Sequence, residues 1–455
     1  MNSADARTGK FSRLYKYYAL AVVTAVYTLN LVDRGLMTLL LQPIKEDLRL
    51  TDTELGTLTG VAFALFYATL GIPIARWADR GNRVSIASLA ILLWGGTVMS
   101  CLFVKSYLQI LCARVAAAVG ESGCKPPTYS LVGDYFPRPD ERTAAMAGYW
   151  MGSPIASLIS FMLGGWLNER YGWRTTFFLM GVPGIILAVV VKLTLVEPRE
   201  GRLRSAEVTQ KTVPIVRVFS VLWRQLSLRN LGFALILLYS MGMGLAPWYA
   251  AFMIRTHKMG TGELGVWLGA IFGLGGIFGT LLGSHVSRRW FSGNERGQLR
   301  ASAVTVALLV PFFVVFLMAS STSVALVMLL PVMLGFNFFL APTYSLLQRL
   351  VSDEMRATTL AILMMLANLI GMGLGPQVVG ILSDWFAPQM GADSLRYAML
   401  IVSLIALWGA YHFWKAADTV MDDLATAEDG QYGDRVLSRE ARSDDSTGWS
   451  ARQES

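Results

Sequence analysis

Arg114, Glu121 and Lys125 stand inside an otherwise apolar run, from about Tyr107 to Asp134, that is long enough to cross a bilayer. On an α-helix the steps from 114 to 121 and from 121 to 125 are about two turns and one turn, so the three charges share a stripe beside Gly120 and Gly123. A charge at mid-bilayer costs about 2.5–3.5 kcal/mol or more unless it faces protein or a watery cavity, so the stripe marks a pathway for protons or a charged substrate. A buried ion pair that only fixes helix packing is the competing reading. A second charged pair, Asp33-Arg34, interrupts the first apolar run of the chain. Carboxylates can carry a proton, and a guanidinium can hold a carboxylate or phosphate through two hydrogen bonds.

The elements that must position these groups are membrane spans. Of 455 residues 54% are hydrophobic and only 15% charged, too few charges to cover a soluble surface of this size. Hydropathy and helix breakers mark twelve spans. They divide the chain into a cytoplasmic tail (1–14), a six-helix bundle (15–196), a polar linker (197–228), a second six-helix bundle (229–415) and a tail (416–455) expected to be disordered. The linker is expected to hold an interfacial helix around Val213–Trp223. With the N-terminus inside, 28 of the 39 lysines and arginines fall on the side of the termini and 8 on the other. That asymmetry places both termini in the cytoplasm of a cell inner (plasma) membrane, and it accounts for the net charge of +8 without a nucleic-acid partner. The basic N-terminus leads into a segment too long for a signal-peptide core, so no cleavable leader is expected.

Other chemistries find little support. Cys101, Cys112 and Cys124 lie in apolar segments at no metal-ligand spacing, and His257, His285 and His412 sit near span ends without a catalytic partner pattern. No G-x-x-x-x-G-K-[ST] string is present, so transport would draw on a gradient or run passively. No metal, no cofactor and no enzymatic activity are expected; a membrane-embedded lipid enzyme is the remote alternative.

The two halves repeat. Glu54-Leu55-Gly56 recurs as Glu263-Leu264-Gly265, a shift of 209, and Pro127-Thr128-Tyr129-Ser130-Leu131 recurs as Pro342-Thr343-Tyr344-Ser345-Leu346, a shift of 215. Tandem halves with both termini on one side are related by an axis along the membrane normal, with a central cavity between them. At the shift of 215, Arg114 maps to Leu329 and Glu121 to Phe336, so the intramembrane charge belongs to the first half alone.

Between spans 2 and 3 stands Ala75-Arg76-Trp77-Ala78-Asp79-Arg80-Gly81-Asn82-Arg83. It resembles the cytoplasmic signature of the major facilitator superfamily, G-x-L-A-D-R-x-G-R-K, matching at Asp79, Arg80 and Arg83 and departing at Ala75, Asn82 and Val84. A degenerate copy, Gly283-Ser284-His285-Val286-Ser287-Arg288-Arg289, lies between spans 8 and 9 and lacks the acid. Arg114 followed by Gly120, the glycines of span 5 and Gly172-Trp173-Arg174 before span 6 also fit. The resemblance covers about residues 15–415. It implies an all-α fold of twelve transmembrane helices in two pseudo-symmetric bundles, with Asp79, Arg80 and Arg83 forming a cytoplasmic gating latch. More narrowly, Asn30-Leu31-Val32-Asp33-Arg34 with Val119-Gly120-Glu121-Ser122 is similar to the Spinster branch, which implies export of lysolipids or sphingosine-1-phosphate. Lys125-Pro126-Pro127 has no place in that pattern.

Asp33 and Arg114 should lie at similar depth, roughly 10–12 Å below the outer edge, with Glu121 about 10 Å deeper. One arginine, Arg114, would then choose between two carboxylates. Arg34, about 100° round the helix from Asp33, is expected to point elsewhere and hold a structural or gating contact. Lys125, Tyr239, Phe336, Asn337, Tyr344 and Asn368 are expected to line the cavity, charged on one wall and apolar on the other. The expected function is a monomeric, proton-coupled carrier of amphipathic or lipid-like molecules, embedded in membrane lipid. A carrier of polar organic anions or sugars, or a passive uniporter, remains the alternative.

Overall fold

In hydrocarbon every backbone polar group must be satisfied within its own segment, so apolar runs of this length fold as helices. The computed structural model describes residues 11–199 and 215–428, and helix is the regular structure of all its described elements. Nine stretches among the described residues are long and apolar enough to cross a membrane. Two of them hold two passes each. Pro139–Thr194 turns at Gly172 (φ 76°) and Glu354–Ala427 turns at Gly391 (φ 55°), left-handed positions that favour glycine. A split fourth pass, Tyr107–Ser122 and Lys125–Tyr135, completes the twelve.

That split corrects the expectation of a single charged stripe. The fourth span breaks at Gly123–Cys124, just ahead of Pro126 and Pro127, which have no N–H to continue the ladder. The tenth span breaks in the same way at Phe339, between Thr322–Phe338 and Leu340–Arg349. Cys124 and Phe339 stand 215 residues apart, and the π-helical turns Ile159–Leu163 and Asn368–Leu374 begin 209 apart. The backbone irregularities therefore repeat at the same two shifts as the sequence strings.

The final helix also differs from expectation. Ile405–Glu428 continues past Lys415, because Ala416, Ala417, Val420 and Leu424 form a buried stripe at helical spacing in a segment read as disordered. The rest of that tail lies outside the described residues, as do residues 200–214 of the linker. Ile215–Arg224 forms a short helix close to the expected interfacial one, burying Val218, Val221 and Leu222 and exposing Phe219 and Trp223.

Spans 1, 6, 7 and 12 end on one face, that of the chain termini. There the Tyr15 hydroxyl donates to Thr194 O (2.9 Å), and Ser227 N donates to Asp423 (2.9 Å). Apart from one in the middle of the spans, the described hydrogen bonds between the halves gather at the opposite, remote end. Asp52 is their hub: its carboxylate accepts from Lys45 (2.5 Å), from both terminal nitrogens of Arg255 (2.6 and 2.7 Å) and from Ser383 (2.6 Å). Asp384 in turn caps span 2, accepting from the N–H groups of Asp52 (3.0 Å) and Thr53 (2.7 Å). Beside this hub, spans 5 and 8 touch backbone to backbone: a Cβ on Gly165 would meet Thr261 O at 2.3 Å, and one on Gly265 would meet Phe161 O at 2.1 Å. The halves are sealed at the remote end.

Candidate functional site

Spans 1 and 4 pack side by side and bring four charges together as two pairs. Arg114 Nη1 lies 2.5 Å from Asp33 Oδ2, both groups buried, and Arg114 Nε also donates to Leu58 O (3.4 Å). Arg34 Nε donates to Glu121 Oε1 at 2.6 Å, and a terminal nitrogen of the same guanidinium contacts that oxygen too. Arg34 therefore does not point elsewhere. Its long side chain reaches from span 1 to Glu121 despite the 100° offset from Asp33, and Arg114 does not have to serve both carboxylates. Each carboxylate has its own guanidinium.

An aromatic wedge from span 2 stands between the pairs. The guanidinium carbons of Arg34 and Arg114 lie 5.0 and 5.1 Å from the centroid of Phe63, and Arg34 is also 5.1 Å from that of Tyr67. Such contacts with a desolvated cation are worth up to ~2 kcal/mol. Phe63 and Tyr67 were not among the expected site residues, although their i, i+4 spacing on span 2 was the available signal. Arg34 also donates to Met372 Sδ (3.4 Å), so the cluster touches the second half at the π-helical turn of span 11. Glu121 Oε2 is buried with no hydrogen-bond partner.

Two cavities adjoin the cluster. The smaller, about 290 Å³, is lined by Arg34, Thr38, Phe63 and Arg114 with Met372 opposite. The larger, about 680 Å³, is walled by Trp150 on one side and by Met241, Phe336 and Asn337 on the other. They share Ser153, Ser157, Met243, Ala246 and Phe272, so charged and apolar spaces are contiguous. Of the residues expected to line the space, Phe336 and Asn337 do so. Tyr239, Tyr344, Asn368 and Lys125 line neither cavity. The Tyr344 hydroxyl donates to that of Tyr239 (3.3 Å), and the Asn368 amide donates to Met364 O (2.8 Å); all three side chains are half-buried. Lys125 lies with its ammonium 5.0 Å from the Trp150 ring centroid.

The sequence profile of the Major Facilitator Superfamily matches residues 23–376. The chain belongs to that superfamily. It is 34% identical to an MFS-type efflux pump of Mycolicibacterium smegmatis, over 89% of this chain and 94% of the pump. It is 22% identical to the sphingosine-1-phosphate transporter SPNS2 of Danio rerio, over 87% of this chain and 82% of that protein. A crystal structure of a bacterial homologue of the human lysosomal transporter Spinster, inward-facing and unoccupied, superposes with a TM-score of 0.79 at 28% identity, covering 91% of this chain and 99% of the other. The protein is a multi-pass membrane transporter of the superfamily, related to Spinster proteins, and not of an enzyme family.

At the terminal face of this superfamily member the signature residues part company. The side chain of Asp79 lies outside the described residues, and Arg80 is exposed. Arg83 is buried: its Nη2 and Nε contact Glu197, its Nη1 lies 2.7 Å from Asp134 and donates to Ser130 (2.8 Å), and its backbone N–H donates to Glu197 Oε2 (2.8 Å). Arg199 Nε completes the network on Asp134 at 2.7 Å. Asp134 and Glu197, at the ends of spans 4 and 6, were invisible as partners because they lie 51 and 114 residues from Arg83. Burial pushes the Glu197 carboxyl up, but the hydrogen bonds of Arg83 and of the Arg199 N–H outweigh it and hold the group below its ordinary value. Asn82, which departs from the signature, caps span 3: its Oδ1 accepts from Ser85 N at 2.9 Å.

Proposed function

We propose that this transporter is a proton-coupled secondary carrier of amphipathic, lipid-like molecules that works by alternating access. The observation that carries the reading is the continuity of the two cavities, one bearing Arg34 and Arg114 and the other walled by Trp150, Phe272 and Phe336. A charged head group fits among the cations of the first half and an acyl chain along the apolar wall of the second. Asp33 and Glu121 are the proton sites: each faces a guanidinium, so a proton on either weakens one ion pair, and Glu121 Oε2 stands ready to accept it. Asp79, Arg80 and Arg83 act at the terminal face as the latch, which lies in the cytoplasm of an inner membrane if lysine and arginine set the orientation. With the remote end sealed, this conformation is then inward-facing. The SPNS2 relative named for sphingosine-1-phosphate supports the lipid class, and the efflux-pump relative supports export.

The test is transport in vesicles of purified protein under an imposed pH gradient, with a fluorescent lysophospholipid and, separately, a radiolabelled sugar acid. Gradient-driven movement of the lysolipid with proton flux is expected. Movement of the sugar acid alone would overturn the lipid reading, and lysolipid movement indifferent to the gradient would leave a passive uniporter.

A further inference from the structure

We infer that Lys125 sets the charge selectivity of this carrier, holding the head group of a net-anionic amphiphile and excluding quaternary-ammonium head groups from Trp150. The inference rests on the amphiphile reading above and goes beyond it, from a class of molecule to the charge that molecule must bear.

The site is one negative charge short. Within the spans, Arg34, Arg114 and Lys125 face two carboxylates, Asp33 and Glu121, and each carboxylate already holds one guanidinium. Among the described residues no carboxylate lies within ion-pairing distance of Lys125. Glu121 stands one turn earlier, but the helix breaks between them at Gly123–Cys124 and Glu121 turns its Oε1 to Arg34. The opposite wall cannot compensate, because the stretches 231–254, 301–348 and 358–383 contain no Asp or Glu. What Lys125 does have is the face of Trp150, with its ammonium 5.0 Å from the ring centroid. A π face orients a cation without neutralising it. An unneutralised ammonium beside an apolar cavity draws an anion, and a lysine presents it as a compact point charge suited to phosphate or carboxylate.

The same contact has a second consequence. Trp150 lines the larger cavity, and an open indole face there would be a natural seat for a quaternary ammonium. Lys125 occupies that seat. A phosphocholine head group would bring its own cation against a fixed one with no carboxylate free to receive it, whereas a phosphate monoester finds Lys125 unpaired. The repeat underlines that this is a special position of the first half: at the shift of 215, Lys125 corresponds to Leu340.

The experiment is isothermal titration of the purified full chain in maltoside micelles with lysophosphatidic acid and lysophosphatidylcholine of the same acyl chain. Wild type should bind the anionic lipid at least about tenfold more tightly. Lys125→Gln should remove that preference, weakening the phosphate monoester by about tenfold and strengthening the choline lipid as Trp150 is uncovered. Lys125→Arg should keep the preference, and an unchanged thermal stability of Lys125→Gln would show that its losses are not misfolding. Equal binding of the two lipids by wild type, or an unaltered ratio in Lys125→Gln, overturns the inference and leaves the amphiphile reading standing. Binding of neither lipid, with binding of a short sugar acid, overturns both.

Discussion

Asp52→Asn should open the remote end. Asn preserves the volume of the side chain but removes the charge that Lys45 and Arg255 share, and it cannot accept the paired hydrogen bonds of Arg255 on two anionic oxygens. Breaking a buried ion pair costs ~3–5 kcal/mol. Here the side chains of Lys45 and Arg255 keep 26% and 13% exposure, so water takes back part of their charge once Asp52 lets go. We therefore set the loss at ~2–3 kcal/mol, a shift of about 30- to 150-fold in the ratio of closed to open remote ends. Because Ser383 and Arg255 belong to the second half, the loss of their bonds falls on the closed state, while the Lys45 contact lies within the first half and is lost in both states alike. Spin labels at Lys105 and Met390, one on each half at this end, would report it by double electron–electron resonance in lipid. A longer distance population absent from wild type is expected. An unchanged distribution in Asp52→Asn would refute the reasoning, since the closure would then rest on the glycine-mediated contacts of spans 5 and 8 alone.

Glu121→Gln should keep the fold and abolish the pH dependence of transport between pH 5 and 8, measured as initial rates in vesicles; an unaltered profile makes Glu121 structural. Arg114→Lys should reduce transport by about tenfold or more although charge is kept, because an ammonium cannot reproduce a guanidinium that holds Asp33 and Leu58 O and lies against Phe63; wild-type rates would remove Arg114 from the mechanism. Glu197 has a lowered carboxyl pKa in the fold, so its contribution to stability is present above the unfolded value of about 4.3 and is lost as pH falls through the lower folded value. Thermal melts should accordingly show Glu197→Gln less stable than wild type at pH 7, with the gap narrowing in strong acid; a gap independent of pH would point to packing instead.

How much of this was legible beforehand follows from the range of each force. The cost of placing charge in hydrocarbon acts wherever the chain runs, so Asp33, Arg34, Arg114 and Glu121 stood out as groups within the spans before any contact was known. Partner choice was not legible in the same way. Arg34 and Asp33 leave span 1 in different directions, as the 100° step requires, but a guanidinium is long enough to reach across to Glu121. Nothing in their spacing tied Phe63 and Tyr67 to the charges of spans 1 and 4, and the stripe at Ala416, Ala417, Val420 and Leu424 was hidden by the acidic residues between them.

The sequence by itself determined the all-helical membrane class, the duplication at shifts of 209 and 215, and the confinement of intramembrane charge to one half. These depend on hydropathy and on residue identity, which are properties of the chain read in order. Only the tertiary structure decided that the four charges form two pairs about Phe63, that Asp52 meets Arg255 and Ser383, and that a charged cavity opens into an apolar one. Residues 203 and 331 positions apart meet at Asp52 because two separately folded halves dock there, and no local periodicity records that docking.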